Sequence, residues 1–391
     1  MTAPDTSGER RALADRLQAQ GHLTSPAWRA AVEAVPREAF LAASGVFLPE
    51  DNAARWRPVT PDSVEPKEWA EIAYSDESLV TQLDGHLTPD QVTGPVTGFP
   101  TSSSTMPGTV VGMLEDLDVD DGMTVLEIGT GTGYSTALLC HRLGEDQVTT
   151  IEVDPEVAKR ADDALEACGY STWTVTGDGL LGHPRRAPYN RIIATCAVRR
   201  IPHAWIRQTS PGGVILATVG SWSYGTGLAK VTVTGKGTAE GRIIGRSSFM
   251  PARAQAPVPL SGDLAARAAY ADTTRPARID PGLLRAWMPA FLAQLTAPGT
   301  QMINAVSGGQ QRIYLFDTDR ESFAELARDG DAWTVRQGGP VALWDAIEAV
   351  VTAWQDAGEP DISAVQLDVT PAGHTYRIGD DPTLRWEHRL V

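Results

Sequence analysis

Hydrophobic and polar positions divide the chain into stretches of different texture. Over residues 8–43 the apolar residues fall at helical spacings, Leu13 with Leu17 and then Trp28, Val32 and Val35. Ser25 and Pro26 supply an N-cap and a first-turn proline for the second of these helices. Residues 47–107 are rich in Pro, Thr, Ser and Asp, with one short extended run at 78–83. From 108 to 220 apolar runs alternate with helical patterns, as a doubly wound α/β sheet requires. Segments 229–234 and 241–245 read as a β-hairpin closing that sheet. A Pro/Ala-rich stretch at 251–259 reads as a linker. Beyond it, Leu283, Leu284, Trp287, Met288, Phe291, Leu292 and Leu295 mark one amphipathic helix, and Val341 to Trp354 another. Runs 312–316, 332–335, 364–369 and 375–378 read as strands. The expected parts are therefore a helical and loop-rich segment 1–107, an α/β core 108–256 and a small α+β accessory domain 257–391.

The most informative stretch is Leu126 to Tyr134, LEIGTGTGY, between an apolar run and the helix start Ser135–Leu139. Glycines at a strand-to-helix turn allow positive φ and a close approach of backbone to ligand. The spacing is G-x-G-x-G rather than the dinucleotide G-x-G-x-x-G, and no Lys-Ser/Thr follows, which excludes a P-loop. Glu127 beside the loop would repel a pyrophosphate but would accept from an ammonium group. S-adenosylmethionine carries an α-amino group and no phosphate. A second run, 148–154, ends in Glu152, suited to a ribose diol. A third ends in Asp178-Gly179, placed to accept from an adenine amino group. The cofactor set expected from this pattern is Glu127, Gly129, Thr130, Gly131, Thr132, Gly133, Tyr134, Ser135, Glu152, Val153, Asp178 and Gly179.

In these residues and their neighbours the chain resembles the protein-L-isoaspartate (D-aspartate) O-methyltransferases over roughly residues 10–255. The cofactor motifs match in LEIGTGTGY, in Thr150–Pro155 and in Gly177-Asp178-Gly179, and Ala187–Ile193 resembles the family's "APYD-x-I" strand with Asn190 in place of Asp. Upstream, Val35–Phe40 resembles "VPRE-x-F" and Ala73–Asp76 resembles "AY-x-D". The resemblance implies a Rossmann-like class I methyltransferase fold, with N-terminal helices and here an added C-terminal α+β domain. It implies S-adenosyl-L-methionine as donor and S-adenosyl-L-homocysteine as product. Where the family carries T-I-S-Q-P, this chain has Ser103-Ser104-Thr105-Met106-Pro107, so Thr105 stands for the active-site serine and Met106 for the glutamine. Thr105, with Ser104 and Ser103, is the expected catalytic stretch. Met106, Asp76 and His86 are expected on the substrate side. The tail resembles extensions on relatives encoded beside ribosomally made, modified peptides, and repair enzymes generally lack it.

Composition narrows the partners. Net charge is −16, with 49 acids against 33 bases, which argues against nucleic-acid binding. Cys140, Cys168 and Cys196 have no metal or disulfide spacing, and the seven histidines are scattered, so no metal is expected. The N-terminal residues lack a signal-peptide core, and a cytoplasmic location without membrane span is expected. Methyl transfer to a carboxylate needs no general base, since an Asp side chain is ionised at neutral pH. The expected acceptor is a peptide aspartyl-type carboxylate, the ester closing to a succinimide that opens to isoaspartate. An ordinary Asp in a dedicated ribosomally made precursor peptide is the first reading. Isoaspartyl repair of damaged proteins, a small-molecule hydroxyl acceptor and a non-catalytic cofactor- and peptide-binding module are the alternatives.

Overall fold

The structure is a computed structural model and describes residues 5–50, 55–220, 225–235, 237–256, 270–307, 309–317 and 320–389. The chain forms two compact units, residues 1–195 with 207–216, and residues 196–206 with 217–391.

The first unit is built around parallel strands in the order Tyr189–Val198, Val125–Ile128, Val148–Glu152, Trp173–Thr176. Val125–Ile128 is buried at every position because it pairs on both edges, Glu127 lying opposite Thr150 on one side and Ile193 on the other. Helix Tyr134–Leu143 leaves the glycine loop, and helix Pro155–Ala167 starts where Asp154 accepts from Glu156 N and Val157 N ahead of a first-turn proline. This is the expected doubly wound arrangement. Helices Ser7–Ala19 and Pro26–Ala34 occupy the N-terminal stretch, the second capped by Ser25 as its sequence predicts.

The described residues between 46 and 104 differ from the loop-rich expectation. They form an antiparallel five-stranded sheet in the order Val96–Thr97, Arg55–Val59, Val46–Glu50, Leu79–Leu83, Pro100–Ser104. Its core is Phe47, Val80 and Leu83, with Trp56, Leu87, Val92 and Val96 packed against them. The pattern is hard to read because Leu79–Leu83 is buried on both faces, Thr81 and Gln82 included, and its partner Pro100–Ser104 is almost wholly polar. Neither strand alternates.

In the second unit, strands Gly227–Gly235 and Thr238–Arg246 form the expected hairpin. The outer strand pairs with Gln366–Thr370, from Ala239 opposite Val369 to Arg242 opposite Gln366, and Gly373–Arg377 and Arg385–Arg389 follow in turn. The hairpin therefore groups with the C-terminal residues. A ladder partner distant in sequence decides this, and hairpin periodicity alone does not carry that information. A separate antiparallel sheet has the order Thr273–Pro276, Ala332–Gly338, Ser322–Asp329, Gln310–Asp317, Thr300–Ser307. Three of its strands, Thr273–Pro276, Thr300–Ser307 and Ser322–Asp329, add to the expected set. Helices Trp287–Thr296 and Leu343–Asp356 occupy the two amphipathic stretches. Of the expected linker, residues 257–259 lie outside the described residues. No helix among the described residues is long and apolar enough to cross a membrane.

Candidate functional site

The loop Gly129–Gly133 hugs the parallel strands. Gly129 has φ +96°, and a Cβ there would lie 2.8 Å from Thr195 Oγ1. Gly131 has φ +56°, and its Cβ would meet the Ser103 carbonyl oxygen at 3.3 Å. The second of these contacts places the Pro100–Ser104 strand directly against the glycine loop. Thr195, within the strand Tyr189–Val198, donates to the carbonyls of Gly129 at 2.5 Å and Ile128 at 3.2 Å. It was invisible as a site residue in the sequence, where it reads as one more β-branched strand position.

Glu127 lies at the loop but is turned inward. It is fully buried, accepting from Ser135 Oγ and Thr136 Oγ1 at 2.5 Å each and from Thr150 Oγ1 at 2.8 Å. Burial raises its carboxyl above the ordinary value, and the three hydroxyls oppose that rise. Thr150 also meets Thr130 Oγ1 at 2.7 Å, so loop, helix start and second strand are tied through one carboxylate. The arrangement differs from the expected direct contact with an ammonium group, because all the hydroxyl donors come from inside. Ser135 is thereby used structurally too.

Glu152 closes the second strand with one oxygen accepting from Gly131 N at 3.0 Å and the other from Asp154 N at 3.1 Å. Beside it Val153 is an exposed apolar side chain. Asp178 is exposed, and its Oδ1 accepts from Leu180 N at 2.9 Å, turning the chain so that Gly179 follows. An acid, an exposed apolar side chain and a second acid at adjacent strand ends suit a ribose, an adenine face and an adenine amino group. No phosphate-type partner is present in this set. The residues thus fit S-adenosylmethionine on their own chemistry.

In the stretch expected on the acceptor side, Ser102 is buried and accepts from Thr81 Oγ1 at 3.1 Å, while Ser104 is buried and Ser103 and Thr105 are half-buried. Gly131 and Thr132 line one cavity with Ser102, Thr81, Ser44 and Phe40. Thr105 follows the strand immediately and precedes helix Pro107–Leu117. Asp76 does not project as a free acid: its Oδ1 accepts from Gly108 N at 2.7 Å and so caps that helix. Met106 is fixed through its own N–H, which donates to Ser78 Oγ at 3.1 Å. His86 is exposed, and its Nδ1 meets the Asp84 carbonyl at 2.8 Å across the turn after Leu79–Leu83. The sequence gives no sign of Gln82, which is buried, accepts from Thr101 Oγ1 at 2.9 Å and donates to Asp154 Oδ2 at 3.2 Å. That bridge joins the N-terminal sheet to the helix start beside Glu152. Among the described residues no group of three His, Cys, Asp or Glu side chains could hold a metal ion.

The sequence model of the protein-L-isoaspartate(D-aspartate) O-methyltransferase family matches residues 64–256. A protein-L-isoaspartate O-methyltransferase of Ignicoccus hospitalis is 35% identical over 181 residues, covering 46% of this chain and 78% of that protein. One of Methanothermobacter thermautotrophicus is 33% identical over 245 residues, covering 62% of this chain and 94% of that protein. A solved structure titled protein-L-isoaspartate O-methyltransferase matches with TM-score 0.52 and 21% identity over 98% of this chain and all of that one. The C-terminal residues therefore have a counterpart in fold in a structure of that title.

Proposed function

Since the chain belongs to the protein-L-isoaspartate (D-aspartate) O-methyltransferase family, and so is an S-adenosylmethionine-dependent carboxyl methyltransferase, we propose that its acceptor is the side-chain carboxylate of an aspartyl-type residue held at Thr105. The observation that carries this is the contact of Ser103 with Gly131, which brings the donor loop and the acceptor strand together. The sulfonium supplies an electrophilic methyl carbon. A carboxylate oxygen attacks that carbon, the carbon–sulfur bond breaks with its electrons going to sulfur, and a methyl ester and a neutral thioether result. Opposite charges disappear, so a site poor in water favours the step, and alignment does much of the rest. Thr105 Oγ donates to one carboxylate oxygen and leaves the other to attack. Its branched Cβ stiffens χ1 relative to serine.

The specific acceptor we infer is an ordinary Asp of a ribosomally made precursor peptide. The reading is supported by Thr105-Met106 standing where the family has Ser-Gln, just after Ser103 at the glycine loop. In the peptide the methyl ester is attacked by the next backbone nitrogen, methanol leaves, and the succinimide opens with water to isoaspartate. The second reading, repair of isoaspartyl residues, is favoured by the names of the relatives and by the full-length match in fold to a structure of that title, which makes the C-terminal residues a weak argument for a dedicated peptide. Mass spectrometry of purified protein with donor and a candidate precursor decides between them. Methylation of Asp in the precursor is expected. Methylation of isoaspartyl peptides with none of any Asp peptide would sink the precursor reading.

A further inference from the structure

The motif Val35–Phe40 takes no part in the chemistry so far, yet it buries a cation. Arg37 is fully buried. Its recorded partners among the described residues are all backbone carbonyls: Nη1 donates to Ala73 and Ser75 at 2.8 Å each, and Nη2 to Glu77 at 3.0 Å, Thr105 at 3.2 Å and Ser104 at 3.4 Å. Its guanidinium carbon lies 5.9 Å from the centre of the Tyr134 ring, the residue that opens the helix after the glycine loop. Burial lowers the guanidinium to about 10, which leaves it charged at neutral pH. One side chain therefore meets three segments: the turn that carries Asp76, the peptide that carries Thr105, and the start of the cofactor helix.

We propose that Arg37 is a positioning residue for methyl transfer, holding the Ser104–Thr105 peptide in place against the glycine loop without touching donor or acceptor. A planar fork with five N–H donors can span carbonyls from two segments at once, whereas an ammonium is a single point with three donors. Lysine at this place keeps the charge and loses the span. The inference rests on Thr105 as the acceptor-side hydroxyl, and it has consequences that need no substrate.

The test compares wild type with Arg37→Lys by hydrogen exchange, calorimetry with S-adenosylmethionine, and turnover. Exchange over residues 100–106 is expected to quicken about tenfold while residues 125–134 change little. Donor affinity is expected to stay within about threefold, and kcat to fall by roughly 30- to 100-fold, the size of effect a displaced reacting group produces. Millimolar guanidinium added to Arg37→Ala is expected to restore part of that kcat. The proposal is overturned if both segments loosen together with loss of donor binding, which marks a purely structural residue. It is overturned equally if exchange and kcat are unchanged. A wild type that methylates neither Asp nor isoaspartyl peptides defeats the acceptor reading instead, and the exchange comparison still decides for or against Arg37.

Discussion

In the first unit Glu127 and Arg37 are buried among neutral dipoles, the acid among the hydroxyls of Ser135, Thr136 and Thr150 and the cation among backbone carbonyls. In the second unit Glu325 and Glu348 are just as buried, but each is met by arginine. Arg336 Nη1 lies 3.0 Å from Glu325 Oε2, with Arg312 on the other oxygen, and Arg336 and Glu325 face each other across adjacent strands. Glu348 takes Arg275 at 2.5 Å, Trp344 Nε1 at 2.7 Å and Arg278 N at 2.7 Å. An ion pair is satisfied by its partner and fixes a scaffold. A charge solvated by dipoles has to gather several segments, and here the segments gathered are those that meet at the glycine loop.

Removing a paired charge should have the largest effect and leave chemistry alone. Glu348→Ala leaves Arg275 to Asp345 as its remaining acid and leaves the Trp344 Nε1–H and Arg278 N–H groups without their acceptor, and a loss of about 3–5 kcal/mol in unfolding free energy is expected. Chemical denaturation measures it, and donor affinity of the folded protein should not move. A second effect belongs to the same unit. Burial lowers His374 from 6.5 to about 4, with His388 and Arg200 adding to the shift and the hydrogen bond to Ile201 opposing it. The neutral ring is favoured in the fold, so its contribution is whole above pH 6.5 and is lost as pH falls toward about 4. That window is worth roughly 3 kcal/mol, and His374→Gln should flatten it in a pH series of unfolding midpoints.

The smallest effect should come from the first unit and have the opposite sign. Glu127 is raised from 4.5 by burial, so its protonated form is favoured in the fold. Its contribution is complete below the ordinary carboxylate range and declines as pH rises through the raised value. Glu127→Gln should abolish that decline and leave one hydroxyl poorly matched, at about 1–3 kcal/mol. A weakened affinity for S-adenosylmethionine is expected to accompany it. If Glu348→Ala disturbed donor binding as much as Glu127→Gln, the contrast between the two units would fail.

The parallel strands and the glycine loop were legible because buried central strands and positive-φ glycines leave local marks. The five-stranded sheet over 46–104 was not, since Leu79–Leu83 buries polar residues on both faces and Pro100–Ser104 has no apolar face to read. The same limit applied at the site. Glu127, Glu152 and Asp178 were found by type and spacing, but that Glu127 points inward depends on hydroxyls from three elements. Asp76 was found through its motif and proved to cap a helix. Arg37 lay inside the motif Val35–Phe40, but its contacts did not show there; Gln82 and Thr195 act through partners far along the chain, and no spacing rule reaches them.

Whether Thr105 holds the acceptor is tested by methyl transfer from labelled S-adenosylmethionine to an aspartyl peptide and its isoaspartyl isomer, by wild type and Thr105→Ala. Labelled ester is expected with wild type, with a loss on the order of 100-fold in kcat for Thr105→Ala and donor affinity unchanged within about threefold. Equal turnover by the two proteins would contradict this, because the acceptor would then be held somewhere other than Thr105.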